Sequence, residues 1–486
     1  IMTGQAHAET VGPGESRTNG VVLADGESLT NHGAISNAAG LGVDGVANVG
    51  FILNSSTGTI EALGDWGIGV SNNLDSFENH GLVTTDTNAA LGVGGNLGNF
   101  INTGTMTSTG GAGVGVGGNV NSFTNSGTIR GGSDPAAVFF GNVGSFSNSG
   151  LLESPTGWTT LRFEGQVGSI SNSGTIRNTG NGAGVEADLD NGSIASFDNS
   201  GTITGGAGQR GVSFYNNGNS VGTFSNSGTI TGGNWEAVHI GGGVQKFVNT
   251  ETGAIRNVDA AGTEGHGVSF NTGTTSGGAV VAFENHGEIQ GDLSEDSHGV
   301  GFFSGGDGTA HQVGSFTNTG TITGGRSGVG AAGGFGTFSN AGVISSTTGH
   351  AVWADSPTGS FANSGTIVST QENGVDLWDD VGTFENSGTI RGQRYGVILD
   401  NRVTSFKNSG TISGEERIAA RIGFDIDSFI NTGSITAGDW TGVELNGAAG
   451  AFNNAGTIKS ANDDAVRINN MTGDFINSGI IDGRAG

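Results

Sequence analysis

The chain has 486 residues, of which 98 are glycine, four are proline and none is cysteine, and Asp and Glu outnumber Lys and Arg 44 to 17 for a net charge of −27. That balance excludes nucleic acid as a partner, because phosphate recognition needs clustered Lys and Arg, and the lack of thiols excludes disulfides, thiolate metal sites and cysteine nucleophiles. Glycine at this density is too costly in helix interiors for a helical protein, the prolines are too few for collagen, and no apolar run approaches the roughly 18 residues of a membrane span.

Residues 1–19 precede the first clear repeat. They read as an N-terminal cap or a segment left after signal cleavage, with Ala6-His7-Ala8 as its small-residue end. From residue 20 to 486 one pattern runs without a linker or a composition shift, so the expectation is one continuous solenoid. Its unit is Phe-x-Asn-x-Gly-x-Ile, as in Phe123 to Ile129, Phe361 to Ile367 and Phe384 to Ile390. The asparagine recurs 19 times from Asn31 to Asn477, and ten of the 18 gaps are 23 residues. About half a period later comes a second apolar element, such as Gly113-Val114, Gly374-Val375 or Gly442-Val443, with another apolar residue two places on. Short alternating segments parted by glycine read as β-strands.

Phe, Asn, Gly and Ile of the motif share one parity, so all four point to the same side, while Ser, Thr, Glu, Arg and Lys occupy the other. Inward asparagine makes sense only if coils stack, so that each amide bonds its equivalent one coil on. Phe123, Asn125, Ile129, Phe361, Asn363, Ile367, Phe384, Asn386 and Ile390 are therefore expected in continuous ladders. The motif glycine is expected to bend the chain with positive φ. The fold class predicted is all-β: a parallel β-solenoid, a right-handed β-helix of about 20 coils.

The period breaks at about 186–220 and 256–312, where the longest gaps, Asn249 to Asn285 and Asn285 to Asn318, reach 36 and 33 residues. Much of the excess follows the second apolar element, around Gly273 to Gly278 and Gly305 to His311, and should project on one side. Insertions of this kind often form the binding face of a repeat protein. Asp292, Glu295, Asp296 and His298 beside them are metal-compatible, but their spacing matches no defined calcium loop. Calcium stays a weak possibility, and no cofactor is expected.

Asp376, Asp379, Asp380 and Asp400 are the best paired-carboxylate candidates, with Arg394, Arg402 and Arg421 close in sequence. The plainer reading is a solvated face of an acidic protein. His32, His80 and His286 fill the outward slot between Asn and Gly and read as surface variants. Gly113 to Gly118 satisfies GxGxxG but precedes no helix, so it reads as turn glycine. Outward Thr-Ile-Thr at 202–204, 229–231 and 321–323 would suit an ice-binding array, but Arg130, Arg177, Arg391 and Glu153 interrupt it. Trp158, Trp235, Trp353, Trp378 and Trp440 could stack on sugar rings, Trp353 from the outer face.

The Phe-x-Asn-x-Gly-x-Ile coils, the missing cysteine and the scarce lysine resemble the passenger domains of bacterial autotransporters and related β-helical surface adhesins, over about residues 20–481. The resemblance implies export to the cell surface and an extracellular, adhesive or structural role, with a glycan or protein as surface ligand. It brings no catalytic residues: the Gly-Asp-Ser-Gly motif of the protease members and an Arg-Gly-Asp tripeptide are both absent. The functional expectation is a non-enzymatic exported rod, and the alternative is a polysaccharide hydrolase or lyase on the same fold. Phe475 to Ile481 is a full repeat with five residues after it. An open solenoid end needs cover, so the expectation is either continuation into more chain or head-to-tail association into filaments.

Overall fold

The computed structural model describes residues 7–188, 192–215, 220–258, 265–272, 279–294, 296–304 and 312–484. The chain divides into two compact units, Ile1–Gly233 and Asn234–Gly486. Each is a parallel β-solenoid built from the 23-residue coil, and the described residues contain strands and turns but no helix.

A coil holds three strands. In the first unit one coil runs through Val120–Asn125, Thr128–Arg130 and Ala137–Phe139. In the second unit one runs through Thr358–Asn363, Thr366–Ser369 and Val375–Leu377. Equivalent strands pair in parallel with the coils on either side, giving three open-ended stacks in each unit rather than a closed barrel. The register matches like with like: Phe123 with Phe146 and Asn125 with Asn148, Phe361 with Phe384 and Asn363 with Asn386, Ile367 with Ile390. Residues within 1–19 belong to this scheme, since Ala8–Val11 pairs with Ser28–Asn31 and Ser16–Arg17 with the strand Ala34–Asn37.

The asparagine ladder forms as parity requires. In the first unit Asn102 Nδ2 donates to Asn125 Oδ1 at 2.7 Å, and Asn125 to Asn148 at 2.8 Å. In the second, Asn340, Asn363 and Asn386 donate onward to Asn363, Asn386 and Asn408, each at 2.8 Å. These amides are buried, and each also leans on the carbonyl of the glycine two residues on. A buried amide so satisfied avoids the penalty of an orphaned polar group.

Beside the ladder the phenylalanines stack face to face. In the second unit nine successive ring pairs from Phe247 to Phe475 lie 4.5–5.0 Å apart with planes within 5°. The first unit has the same stack, with Phe100 and Phe123 at 4.0 Å. Phe139 and Phe163 of the third stack meet it edge-on. Ile129, Ile367 and Ile390 close the core from the second stack. Each buried Phe or Ile contributes roughly 1.5–3 kcal/mol, so the coils supply to one another the burial that none achieves alone.

The motif glycines correct one expectation. Among the described residues positive φ occurs at Gly14, Gly20, Gly26 and Gly334, none of them in the motif. The motif glycine sits instead at the corner between the first and second strands, where the backbones of successive coils touch. A Cβ on Gly127 would overlap the carbonyl oxygen of Gly104, and one on Gly365 that of Gly342. Close approach, not handedness, is what demands glycine there. The corner stays satisfied because Ser364 and Gly365 both donate their N–H to the Asn340 carbonyl, at 2.8 and 3.1 Å.

Candidate functional site

The side chains free to vary are those in the outward slot at the middle of each third-stack strand. In the first unit this slot runs Asp44, Gly69, Gly92, Gly115, Val138, Arg162, Glu186, Ser213. Gly115 floors a groove of about 640 Å³ between Trp66 and Trp158, with Phe140 on its wall. Trp66, Phe140 and Trp158 are 36, 53 and 53 % exposed. The Trp66 indole lies across Gly92, where any Cβ would collide with it. Trp158 is covered on one side by the Arg162 guanidinium, 4.3 Å from the ring centre. Gly115 differs: the nearest atom to a Cβ there is a Val138 methyl at 3.7 Å. Nothing in the fold demands glycine at 115; its effect is to leave the groove floor open. Gly115 is therefore mid-strand, in Val114–Val116, and not the turn glycine expected from the GxGxxG spacing.

Charge in the groove is net negative. Arg162 is surrounded by Glu164 at 3.0 Å, Asp188 at 3.6 Å and Glu186 at 3.8 Å. Burial pushes the Glu186 carboxyl above its ordinary range, against the pull of Arg162. Asp134 lines the groove on the same side as Trp158 and adds another carboxylate. On the second stack, Glu153 keeps the outward position expected for it but is not solvated. It is buried between Arg130 and Arg177 of the adjoining coils, and although burial raises its pKa, the hydrogen bonds from both arginines hold it lowered.

In the second unit the slot residues His239 and Ser269, with Glu236, His266, His298 and Arg326 beside them, line a polar pocket of about 270 Å³, with Asp296 at its rim. His239 Nδ1 lies 2.9 Å from Ser269 Oγ, which donates to Glu236 Oε1 at 3.2 Å. His298, expected on an exposed binding face, is only 3 % exposed. It bonds Ser327 Oγ through Nδ1, and its backbone N–H donates to His266 Nδ1 at 3.0 Å. Burial, and then the charges of His266 and Arg326, push its pKa well below the usual imidazole range. Asp292 is half-buried and caps Leu293 N–H at 2.6 Å. Gly273, Gly278 and Glu295 lie outside the described residues, as do 305–311. Among the described residues no three His, Asp or Glu side chains are grouped to hold a metal ion.

The four aspartates of the carboxylate reading have separate surroundings. Asp376 is 5 % exposed, not solvated. Its Oδ2 accepts from Asn373 Nδ2 at 2.7 Å and lies 3.7 Å from His350 Nε2. Burial raises its pKa, with His350 opposing and Asp400 adding to the rise. Asp355, one coil before, is raised too, by burial and then by Asp376. Asp379 and Asp380 are tied into the turn: Asp379 Oδ1 accepts from Asp380 N–H and Asn401 Nδ2, and Asp380 Oδ1 from Arg402 N–H. Asp400 pairs with Arg421 at 2.7 Å. Arg394 and Arg402 pair elsewhere, with Glu372 and Asp427.

Of the tryptophans expected at the surface, Trp158, Trp235, Trp378 and Trp440 are exposed. Trp353 is half-buried, its Nε1–H donating to Ser327 Oγ at 3.3 Å. Trp66 and Phe140 were not singled out by sequence reasoning, and Gly115 was read only as a turn glycine. The signal was there: the third-strand slot is glycine in three successive coils, between Asp44 and Val138. No protein-family model matches this chain, nor does any curated protein or solved structure.

Proposed function

We propose that this chain is a non-enzymatic, exported β-solenoid that serves as a structural or adhesive surface outside the bacterial cell, as its resemblance to autotransporter passenger domains suggests. One observation carries the reading. The backbone and the inward amides are satisfied by stacking, which releases the outward slots of the third stack for recognition, and in the first unit the bare Gly115 slot floors an open groove walled by aromatics. Most charged side chains around the aspartates of the second unit are engaged in ion pairs that hold adjacent coils together, as Arg421 holds Asp400. The reading needs no cofactor.

The second reading, a polysaccharide hydrolase or lyase, has one observation in its favour: Asp376, buried beside His350 with a raised pKa, has the environment of a general acid. Purified protein incubated with neutral and acidic polysaccharides separates the two. Retention of a polysaccharide without new reducing or unsaturated ends supports the adhesive reading. Turnover that is lost in Asp376→Asn overturns it.

A further inference from the structure

The groove of the first unit has the chemistry of a carbohydrate site. Its length follows from the coils that line it: Trp66 belongs to the coil of Ile68–Val70 and Trp158 to the coil of Thr159–Phe163, four steps apart. At about 4.8 Å per step that is roughly 19 Å, the reach of a short oligosaccharide lying along the stack. Flat indole and phenyl faces at both ends and on the wall suit the apolar faces of sugar rings. Polar groups stand between them, including Asn88, itself fixed by Asp65 at 2.8 Å. The floor between the aromatics is bare backbone at Gly115, where a side chain would fit but none is present.

The charge distribution selects among glycans. Among the described residues Arg162 is the one cation lining the groove, and it is already surrounded by Glu164, Glu186 and Asp188, while Asp134 and Glu164 leave the lining net negative. The whole chain carries −27. A uronate or sulfated chain would be repelled at the surface and find no open cation in the groove. We propose that the groove between Trp66 and Trp158 binds an uncharged polysaccharide chain lying along the stacking direction, floored by Gly115. This inference rests on the adhesive reading and gives it a site and a ligand class.

The test uses the full chain and a panel of uncharged polysaccharides, glucans, mannans and galactans, beside uronate-containing and sulfated ones, read by retention and titration calorimetry. At least one uncharged glycan should bind. Gly115→Leu, which the open floor accommodates, should abolish that binding while leaving the circular dichroism and melting unchanged. Trp66→Ala and Trp158→Ala should each weaken it roughly tenfold, and Trp378→Ala, on the second unit, should not. Binding confined to anionic chains, or binding by Gly115→Leu equal to wild type, overturns the proposal. Attachment to cells or surfaces is measured on the same proteins: attachment that persists in Gly115→Leu removes the groove but leaves the adhesive reading standing. No attachment and no retention by wild type removes both.

Discussion

Replacing Asn363 with alanine cuts the ladder at one rung, and the structure sets the cost. Asn363 accepts from Asn340 Nδ2 and donates to Asn386 Oδ1, both at 2.8 Å, with longer contacts to the Gly365 and Thr389 carbonyls at 3.2 and 3.3 Å. Alanine removes both ladder bonds. Asn340 keeps weaker acceptors in Gly342 and Thr366, at 3.2 and 3.4 Å. Asn386 Oδ1 keeps nothing in a site 2 % exposed. Two bonds at about 1 kcal/mol each, one of them leaving a stranded acceptor at about 1–3 kcal/mol, give a loss of roughly 2–4 kcal/mol. In a stacked array this loss is felt mainly at the affected coil and its neighbours. Native-state hydrogen exchange should therefore speed up by roughly 30- to 700-fold at the amides of this coil, and by little several coils away. Ser364→Ala, at the exposed neighbouring position, is the control. Trp353 in the coil before and Trp378 in the same coil report the same weakening by fluorescence in urea. If Asn363→Ala exchanges like the Ser364→Ala control, the amides do not hold the coils and the ladder argument fails.

Gly127→Ala and Gly115→Ala make the same chemical change with opposite expected signs. The first drives a Cβ into the Gly104 carbonyl and should cost about 1–3 kcal/mol, while the second enters open space in a strand and should be neutral or stabilise by about 0.5–1 kcal/mol; melting curves of the two variants decide. His298 has a folded-state pKa below its unfolded one, so the unfolded chain takes up the proton first. Its contribution to stability is complete above about pH 6.5 and falls away as the pH drops below that, and urea midpoints between pH 7.5 and 5 should decline more in wild type than in His298→Gln. Asp376 has the opposite linkage for an acid: its raised folded pKa destabilises the protein at pH 7, and the penalty is relieved as the pH falls. Asp376→Asn should therefore raise the urea midpoint at pH 7, helped by a new amide donor beside Asn373 Oδ1, which has no hydrogen bond in the wild type; a lowered midpoint would refute this.

The core was legible because every element of it repeats. Asn125 beside Phe123 is ambiguous as one residue, but nineteen copies at one parity leave stacking as the only way to bury the amides. Periodicity alone misread the motif glycine. Gly365 lies at a corner between two strands, and its constraint comes from Gly342 of the coil before, a contact that a one-dimensional pattern does not contain. His298 was misplaced for a related reason. Polar composition suggested a loop, yet the residue opens the strand His298–Ser304 and turns toward Ser327, so pairing with the adjacent coil buries it. The groove was least legible, because it is defined by missing side chains: Gly115 is informative only against Val138 of the next coil and the Trp66 ring that reaches over Gly92 of the coil before.

That asymmetry between inward and outward positions has a consequence for how such a chain acquires a site. Inward residues are each held by two neighbours, so a change at Phe361 must be matched by Phe338 and Phe384, at ring distances of 4.5 and 4.9 Å. Outward slots are coupled case by case, as Arg162 meets Glu186 at 3.8 Å, and no chemistry repeats: Gly330, Trp353, Asp376, Ile398 and Arg421 follow one another on successive coils. Stability is thus set by one half of each strand and surface chemistry by the other. A site of any polarity can be written on the third stack without altering the ladder beneath it. The open aromatic groove of the first unit and the buried histidines and carboxylates of the second are two such inscriptions on the same coil, written by slot residues such as Gly115 and His239 together with neighbours such as Trp66 and His298.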